Sequence, residues 1–357
     1  MNNFDLDKHL SKTYQMIYIH STGDYWLNRD EVVSNLYATD PNQPLLLHFM
    51  YQAIGIEQSG LYEIINQYLD VSGRPPESIF IHTPSREEDL LGFENIYPYP
   101  VCDEFLHCGR YWVDVPKKPN ATAFRFGHFV GRPTTPRIKF FYDVEKYNMK
   151  NQFLFSKLED SASGDWNFSE YFYDDLSHWF NSNEEKEKFA NWFANPSFFI
   201  PSVDNLRMQD QYDITKTARL NMVNQSWRYH IDIVFESLTV GNTFAPTEKL
   251  IRSLITEKPF IVYAPKYYLQ RLQKMGFETF GDLWNEDYDN SDFVERYNKI
   301  LQLSIELASL SNKDFLALSE SAREICKHNK RILKQINVDY HGSEQQWINN
   351  TSNLLIS

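Results

Sequence analysis

Residues 229–265 read YHIDIVFESLTVGNTFAPTEKLIRSLITEKPFIVYAP, and the order of apolar runs in this stretch decides the fold. Residues 231–235 and 259–263 are short apolar runs, and each predicts a buried strand. Apolar positions recur at helical spacing over residues 246–255, and a further helix is predicted over residues 266–275. Strand, helix and strand in this order form the basic unit of a parallel sheet, so the sequence predicts an α/β fold.

The same alternation of strands and helices continues on both sides of this stretch. The predicted strands are residues 16–20, 45–49, 79–82, 126–130 and 153–155, and the predicted helices are residues 61–69, 138–147, 292–309, 314–336 and 343–356. A chain of 357 residues is long enough for about two domains of ordinary size. We therefore expect two Rossmann-like α/β domains that share one cleft.

The boundary between the two domains is predicted at Pro116, Lys117, Lys118 and Pro119, because prolines in such a run interrupt strands and helices. The N-terminal domain is expected over residues 1–118 and the C-terminal domain over residues 119–342. The last segment, residues 343–357, is expected to form a helix that returns to the N-terminal domain.

Residues 161–200 interrupt the pattern of the C-terminal domain. This segment is rich in aromatic residues, which alternate with acidic ones. A helical, aromatic-rich insertion is expected here, and two interpretations stay open. Its aromatic face is either a lid or contact surface, or it is packed into the core like other aromatic clusters.

The overall composition restricts the class of protein. The net charge of −13 argues against a general nucleic-acid coat protein, which would present a basic surface. Residues 101–150 and 201–280 nevertheless carry net charges of +4 and +2, a distribution that suits a local anion site. The three cysteines have no metal-ligand spacing, and the sequence predicts neither a membrane span nor a secretion signal. A cytoplasmic protein is therefore expected.

Lys249 is the first candidate for a binding residue. It is expected as an exposed residue in the first turn of the helix over residues 246–255, where the helix dipole disfavours a cation. That position becomes favourable when an anion docks at the helix N-terminus. The alternative is an ordinary amphipathic helix in which Glu248 pairs with Arg252 one turn later.

The run from Val234 to Pro265 resembles the donor-binding motif of the α-1,3-fucosyltransferase family of nucleotide-sugar glycosyltransferases. The residues that carry the resemblance are Phe-Glu-Ser at 235–237, Thr-Glu-Lys at 247–249 and Lys-Pro-Phe-Ile-Val-Tyr-Ala-Pro at 258–265. Asn does not follow Glu236 as it does in the family, and the loop before Glu248 is longer. The resemblance implies a GT-B-like fold of two facing domains, with the nucleotide sugar on the C-terminal domain and the acceptor on the N-terminal one.

The resemblance also implies roles for individual residues. Glu236 would contact the donor sugar, and Glu248 would hold the ribose of the nucleotide. Ser237, Thr247 and Lys249 belong to the same motif and are assigned to the donor site. A buried salt bridge is the alternative role for Glu236.

Glycosyl transfer sets the chemical requirements of such a site. Positive charge develops at the anomeric carbon and negative charge on the departing diphosphate, so the protein needs cations at the diphosphate and a base at the acceptor hydroxyl. Lys249, Arg132 and Arg137 can supply the cations. The two arginines follow a predicted strand, in a run that resembles the first donor-domain loop of two-domain glycosyltransferases, although Arg137 alternatively caps a helix.

The base is expected on a loop of the N-terminal domain. Glu57 is our choice, because it follows the strand over residues 45–49 and a loop of small residues. Asp24, His20 and His82 also qualify by position. The helix dipole alone would equally favour an acid at Glu57.

The sequence therefore predicts an inverting, metal-independent glycosyltransferase with a nucleotide sugar as co-substrate and no resident cofactor. A glycan is the expected hydroxyl acceptor, and nucleic acid is expected only as an acceptor substrate. Two alternatives stay open: a phage-type DNA-base glycosyltransferase, and a non-catalytic sugar-binding protein built on a transferase scaffold.

Overall fold

The computed structural model shows an α/β protein built on parallel sheets. It describes residues 14–20, 29–50, 60–83, 96–98, 124–130, 134–157, 179–180, 182–193, 225–236, 239, 244 and 246–336. The chain divides into two compact units, and the described strands form one four-stranded sheet in each.

Sheet 1 belongs to the first unit and keeps its strands in chain order. Its strands are β1 (Gln15–His20), β2 (Leu45–Met50), β3 (Ile79–Thr83) and β4 (Ile96–Pro98), and its helices are α1 (Arg29–Tyr37) and α2 (Leu61–Ser72). All neighbouring strands are parallel. One core cluster joins apolar side chains of the first three strands to those of both helices, which is why the apolar runs and the helical spacing occur together here.

Sheet 2 belongs to the second unit and has the strand order β6-β5-β7-β8. Its strands are β5 (Phe124–Val130), β6 (Phe153–Lys157), β7 (Tyr229–Phe235) and β8 (Phe260–Tyr263), and all neighbouring strands are parallel. The helices described in this unit are α3 (Thr135–Lys146), α4 (Asn183–Phe193), α5 (Glu248–Ile255), α6 (Tyr268–Lys274), α7 (Phe293–Ser309), α8 (Asn312–Ser321) and α9 over residues 323–336.

Close packing between β5 and β7 requires a glycine at position 127. A Cβ atom added at Gly127 would lie 2.7 Å from the ring of Tyr229, which is fully buried. No side chain fits at that distance, so the neighbouring strand can carry a tyrosine only because position 127 has no side chain.

The other predicted strands and helices are confirmed where the structure describes them, with shifts of a few residues at their ends, but the single helix predicted over residues 314–336 is wrong. The structure has two helices there, α8 and α9, because the helix is interrupted at Ala322. The helix over residues 246–255 begins at Glu248, two residues later than predicted. The sequence analysis missed α1 and β4. Both domain limits, the linker at residues 116–119 and the helix over residues 343–356 lie outside the described residues.

Part of the aromatic-rich segment is described, and there it packs onto α3. The ring of Tyr142 makes edge contacts with Phe189 and Trp192 of α4 at 5.5 and 5.3 Å. The indole Nε1 of Trp192 also donates a hydrogen bond to Glu145 at 2.7 Å. In α4, Phe189 is buried whereas Trp192 and Phe193 are partly exposed, so both interpretations of the segment stay open.

A helix that spans a membrane must be long and predominantly apolar. Among the described residues, no helix combines the length and apolar character that a membrane span requires.

Candidate functional site

The strand order of sheet 2 creates a switch point between β5 and β7. β6 follows β5 in the chain and lies on one side of it, whereas β7 lies on the other side. In open α/β sheets, ligands bind at the carboxyl ends of the two strands that flank such a reversal. The described strands of sheet 1 stand in chain order and contain no switch point, so the second unit holds the candidate site.

Glu236 lies directly after β7, at the carboxyl edge of sheet 2. Only 1 % of its surface is exposed. Its backbone N–H donates to the carbonyl of Tyr263 at 2.9 Å, which extends the pairing of β7 with β8. Its carboxylate Oε1 accepts a hydrogen bond from the hydroxyl of Tyr268 at 2.9 Å. The carboxylate is therefore held in one orientation at the switch point.

Arg137 joins the other side of the switch point to Glu236. It lies in the first turn of α3, the helix that follows β5, and it is buried. Its guanidinium donates to the carbonyls of Phe235 at 3.0 Å and of Glu236 at 2.8 Å. Arg137 therefore fixes the end of β7 against α3, and its contact with a diphosphate stays a prediction.

His128 lies beneath this edge, in the middle of β5. Its Nδ1 is 2.9 Å from the carbonyl oxygen of Ile233, to which the neutral ring donates, and its Nε2 is buried without a hydrogen-bond partner. Phe140, Phe141 and Phe235 surround the ring at centroid distances of 4.9–5.1 Å. Burial lowers the pKa of His128 to about 4, so the imidazole is neutral at pH 7.

Lys249 is buried, in contrast to the exposed first-turn lysine that the sequence predicts. Only 9 % of its surface is accessible, because α5 is enclosed as part of the core. Thr247, directly before α5, is also buried. Lys249 and Thr247 belong to the motif that is assigned to the donor site, and their contact with a ligand stays a prediction.

Arg252 has a partner that the sequence analysis did not consider. Its guanidinium crosses to β7 and binds the carboxylate of Asp232 through Nε at 3.1 Å and Nη2 at 2.9 Å. Ser253 donates to the same carboxylate at 2.7 Å. The described bonds of Arg252 therefore join α5 to β7. The side chain of Glu248 lies outside the described residues, so its pair with Arg252 stays a prediction.

Several assigned residues lie outside the part of the chain that the structure describes. The residues outside it are Arg132, Ser237, Glu57 and Asp24. Glu248 is described only as the first residue of α5. His20 and His82 are described only through their strands: His20 is the last residue of β1, and His82 lies one residue before the end of β3. The choice of Glu57 as the base therefore stays a prediction.

Two residues of the site were missed by the sequence analysis. Tyr268 supplies the hydroxyl that binds Glu236, and Arg296 holds the backbone near it. The position of Tyr268 in the sequence could have indicated it, because Tyr268 follows β8 and Glu236 follows β7, the neighbouring strand. No comparable signal points to Arg296, which lies 60 positions away in α7.

The acidic run at residues 287–292 includes a short 3₁₀ helix and is partly buried. Asp289 lies in a 3₁₀ helix (Asp287–Asn290), and its carboxylate accepts the backbone N–H groups of Leu269 at 2.9 Å and Gln270 at 3.2 Å. Burial raises the pKa of Asp289. In the described part of the chain, no group of three or more His, Cys, Asp and Glu side chains could hold a metal ion.

Comparison of the chain with protein-family models, with curated proteins and with solved structures finds no match. The case for a function therefore depends on the residues at the switch point and on the motif around them.

Proposed function

We propose that this protein is a glycosyltransferase that moves a sugar from a nucleoside diphosphate sugar to a hydroxyl group, with a glycan as the acceptor. One observation carries the proposal: a buried carboxylate, Glu236, is held at the switch point of a parallel sheet. Its oxygen is oriented by Tyr268, and its backbone by Arg137. The motif around Glu236 is the one that resembles the fucosyltransferase donor site.

The proposed reaction is a single displacement with inversion. The acceptor oxygen attacks the anomeric carbon while the bond from that carbon to the diphosphate oxygen breaks. The acceptor proton passes to the base, for which Glu57 is proposed, and the electron pair of the broken bond leaves with the diphosphate. Glu236 contacts the sugar and stabilises the positive charge that develops on it.

Cations neutralise the leaving diphosphate in this proposal. Lys249, Arg137 and Arg132 are assigned to it, and Thr247 and Ser237 contribute hydroxyl groups beside them. Glu248 holds the ribose. This set supplies positive charge without a metal ion, so we propose that transfer is metal-independent.

A ligand screen followed by turnover tests this proposal. Thermal-shift measurements against nucleoside diphosphates and their sugar conjugates should identify a donor, since a ligand at 100 Kd adds about 2.7 kcal/mol of stability. Release of nucleoside diphosphate from that donor is then measured for wild type and Glu236→Gln. We expect Glu236→Gln to lower kcat at least about tenfold, equivalent to about 1.4 kcal/mol in the transition state.

Glu306→Gln is the matched control, because Glu306 is an exposed glutamate of α7 in the same unit. It should leave turnover unchanged. Glycan binding without release of nucleoside diphosphate would contradict the enzymatic proposal and favour a sugar-binding protein. Transfer to duplex DNA in place of a glycan would contradict the proposed acceptor.

A further inference from the structure

We propose that Arg296 is a positioning residue for Glu236, and that it sets the orientation of this carboxylate without touching the substrate. The kinetic part of this inference rests on the proposed function, whereas its structural part can be measured in the protein without a ligand. Arg296 lies in the first turn of α7, and only 3 % of its surface is exposed.

The guanidinium of Arg296 holds four backbone carbonyls. It donates from Nε to Tyr288 at 3.2 Å and from Nη1 to Thr239 at 3.1 Å. It also donates to the carbonyls of Ala264 and Ser291. Burial lowers the pKa of Arg296, yet the four carbonyl oxygens compensate the lost hydration of its guanidinium.

The first route from Arg296 to Glu236 runs through the ends of two strands. Thr239 lies three residues after Glu236, and Ala264 is the first residue after β8. The carbonyl of Tyr263, next to Ala264, accepts the backbone N–H of Glu236. One side chain therefore holds the backbone at two points, four residues after the end of β7 and one residue after the end of β8.

The second route runs through the side chains and backbone that position Tyr268. Arg296 holds the 3₁₀ helix through the carbonyl of Tyr288, and the next residue, Asp289, binds the first turn of α6. The carbonyl of Asp289 also accepts the N–H of Tyr267 at 2.8 Å, which keeps Tyr267 at a left-handed φ of 62°. Tyr268 then donates its hydroxyl to Glu236.

Lysine cannot replace arginine in this position. A guanidinium presents five N–H donors in a fixed planar fork, whereas an ammonium has three donors on a flexible chain and no fork. Arg296→Lys keeps the positive charge and most of the volume. It therefore removes the planar fork that makes the four hydrogen bonds and leaves the positive charge in place.

Arg125 provides a matched control at the other end of the same helix. It lies near the amino end of β5, and its guanidinium donates to the carbonyls of Leu307, Ala308 and Leu310 at 2.8–3.0 Å. Arg125→Lys therefore also breaks several arginine–carbonyl bonds to α7. It does so at the edge of the sheet opposite to Glu236.

The test is carbon NMR of the ligand-free protein labelled at the side-chain carboxyl carbon of glutamate. The Glu236 signal is assigned by its loss in Glu236→Gln. We expect Arg296→Lys to shift or broaden this signal and Arg125→Lys to leave it in place. An unchanged Glu236 signal in folded Arg296→Lys overturns the inference, whether or not the protein is an enzyme.

The kinetic readout separates positioning from a loss of stability. With the donor found by the ligand screen, Arg296→Lys should lower kcat by up to about 10²-fold with little change in KM, since a small misplacement of a reacting group has effects of this size. Arg125→Lys should lower the melting temperature without that loss of kcat. Equal kinetic effects of the two variants contradict the inference.

Tyr268→Phe tests the last link if Arg296→Lys does not fold. It keeps the buried ring and removes only the hydroxyl that binds Glu236. We expect the same shift of the Glu236 signal, and an unchanged signal overturns the second route. If wild type binds no nucleotide sugar while these signals move as expected, the proposed function fails and the positioning role stands.

Discussion

At the scale of single residues, three charged side chains of the second unit are buried and paired within the protein. Glu236, Arg137 and Arg296 are all less than 4 % exposed, and each has hydrogen-bond partners in the protein. Such groups are expensive to bury unless they are paired, so their partners define where they can act. Here the partners place all three at one edge of sheet 2.

Lys249→Met tests the proposed phosphate contact. Methionine keeps most of the buried stem of Lys249 and removes only the ammonium, which matters because the side chain is enclosed. A charge-assisted contact with the diphosphate contributes about 1.5–3 kcal/mol, so donor affinity should fall at least about tenfold. Calorimetry of donor binding measures this, and unchanged affinity in a folded variant would remove Lys249 from the donor site.

His128 should make the stability of the second unit depend on pH. The native imidazole has a pKa of about 4, whereas an imidazole in the unfolded chain has its ordinary pKa of 6.5. Between these values the unfolded state binds more protons, so the free energy of unfolding falls as the pH falls from 6.5 to 4. The expected loss between pH 7 and pH 5 is about 2 kcal/mol.

His128→Phe is the variant that isolates this effect. Phenylalanine fits the aromatic surroundings of His128 and does not titrate, although it leaves the carbonyl of Ile233 without its partner at every pH. Urea unfolding at pH 7 and pH 5 should show a smaller loss of stability in the variant than in wild type. Equal losses in both proteins would contradict the low pKa of His128.

At the scale of elements, a buried ion pair contributes to the attachment of α5 to β7. Arg252 is 6 % exposed and Asp232 is fully buried, and the guanidinium also lies 4.6 Å from the ring of Phe129. The side of α5 that the sequence predicts as apolar is indeed buried, with Leu250, Ile251, Leu254 and Ile255 in the core. The ion pair is therefore set within an apolar interface.

Asp232→Ala should destabilise the protein by about 3–5 kcal/mol, because it leaves the Arg252 guanidinium buried without its partner. The double variant Asp232→Leu with Arg252→Met should recover most of this loss, since an apolar pair of similar volume replaces both charges. Chemical denaturation measures the three proteins. As a control, Glu184→Ala breaks an exposed pair with Lys188 on α4 and should leave the melting temperature unchanged. A small effect of Asp232→Ala would contradict the role assigned to the pair.

These elements also indicate what the sequence could predict. Short apolar runs predict strands well because strands of parallel sheets are buried on both faces, and β7 and β8 illustrate this. The partner of Arg252 could not be predicted, since Asp232 lies 20 positions earlier on another element. The same holds for the burial of Lys249, because the helix-dipole argument considers α5 alone and ignores what packs over it. β4, with three residues, is too short to give a pattern.

At the scale of the whole molecule, the two sheets differ in their strand order. Both are parallel and four-stranded among the described residues, yet a reversal of strand order occurs only in sheet 2. Glu236 and Arg137, which are joined by a hydrogen bond, lie at that reversal. The strand order, which could not be predicted from the sequence, is therefore the reason for placing the candidate site in the second unit.

Metal independence is a prediction about the whole proposed glycosyltransferase. Transfer should proceed at the same rate after treatment with EDTA, because the assigned cations neutralise the leaving diphosphate. Rates are compared before and after chelation, with and without added Mn²⁺ or Mg²⁺. Loss of transfer on chelation that either ion restores would contradict the assigned mechanism.

The proposal that the donor binds at the carboxyl edge of sheet 2 is tested most directly by mapping where a nucleotide sugar binds. Photoreactive 5-azidouridine and 8-azidoguanosine diphosphate sugars are cross-linked to the protein, and the labelled peptides are identified by mass spectrometry, with excess unlabelled donor as competitor. We expect competed labelling of peptides that contain the end of β5 with the start of α3, or the end of β7 with the start of α5. Competed labelling confined to peptides of sheet 1, or no competed labelling at all, would contradict this proposal.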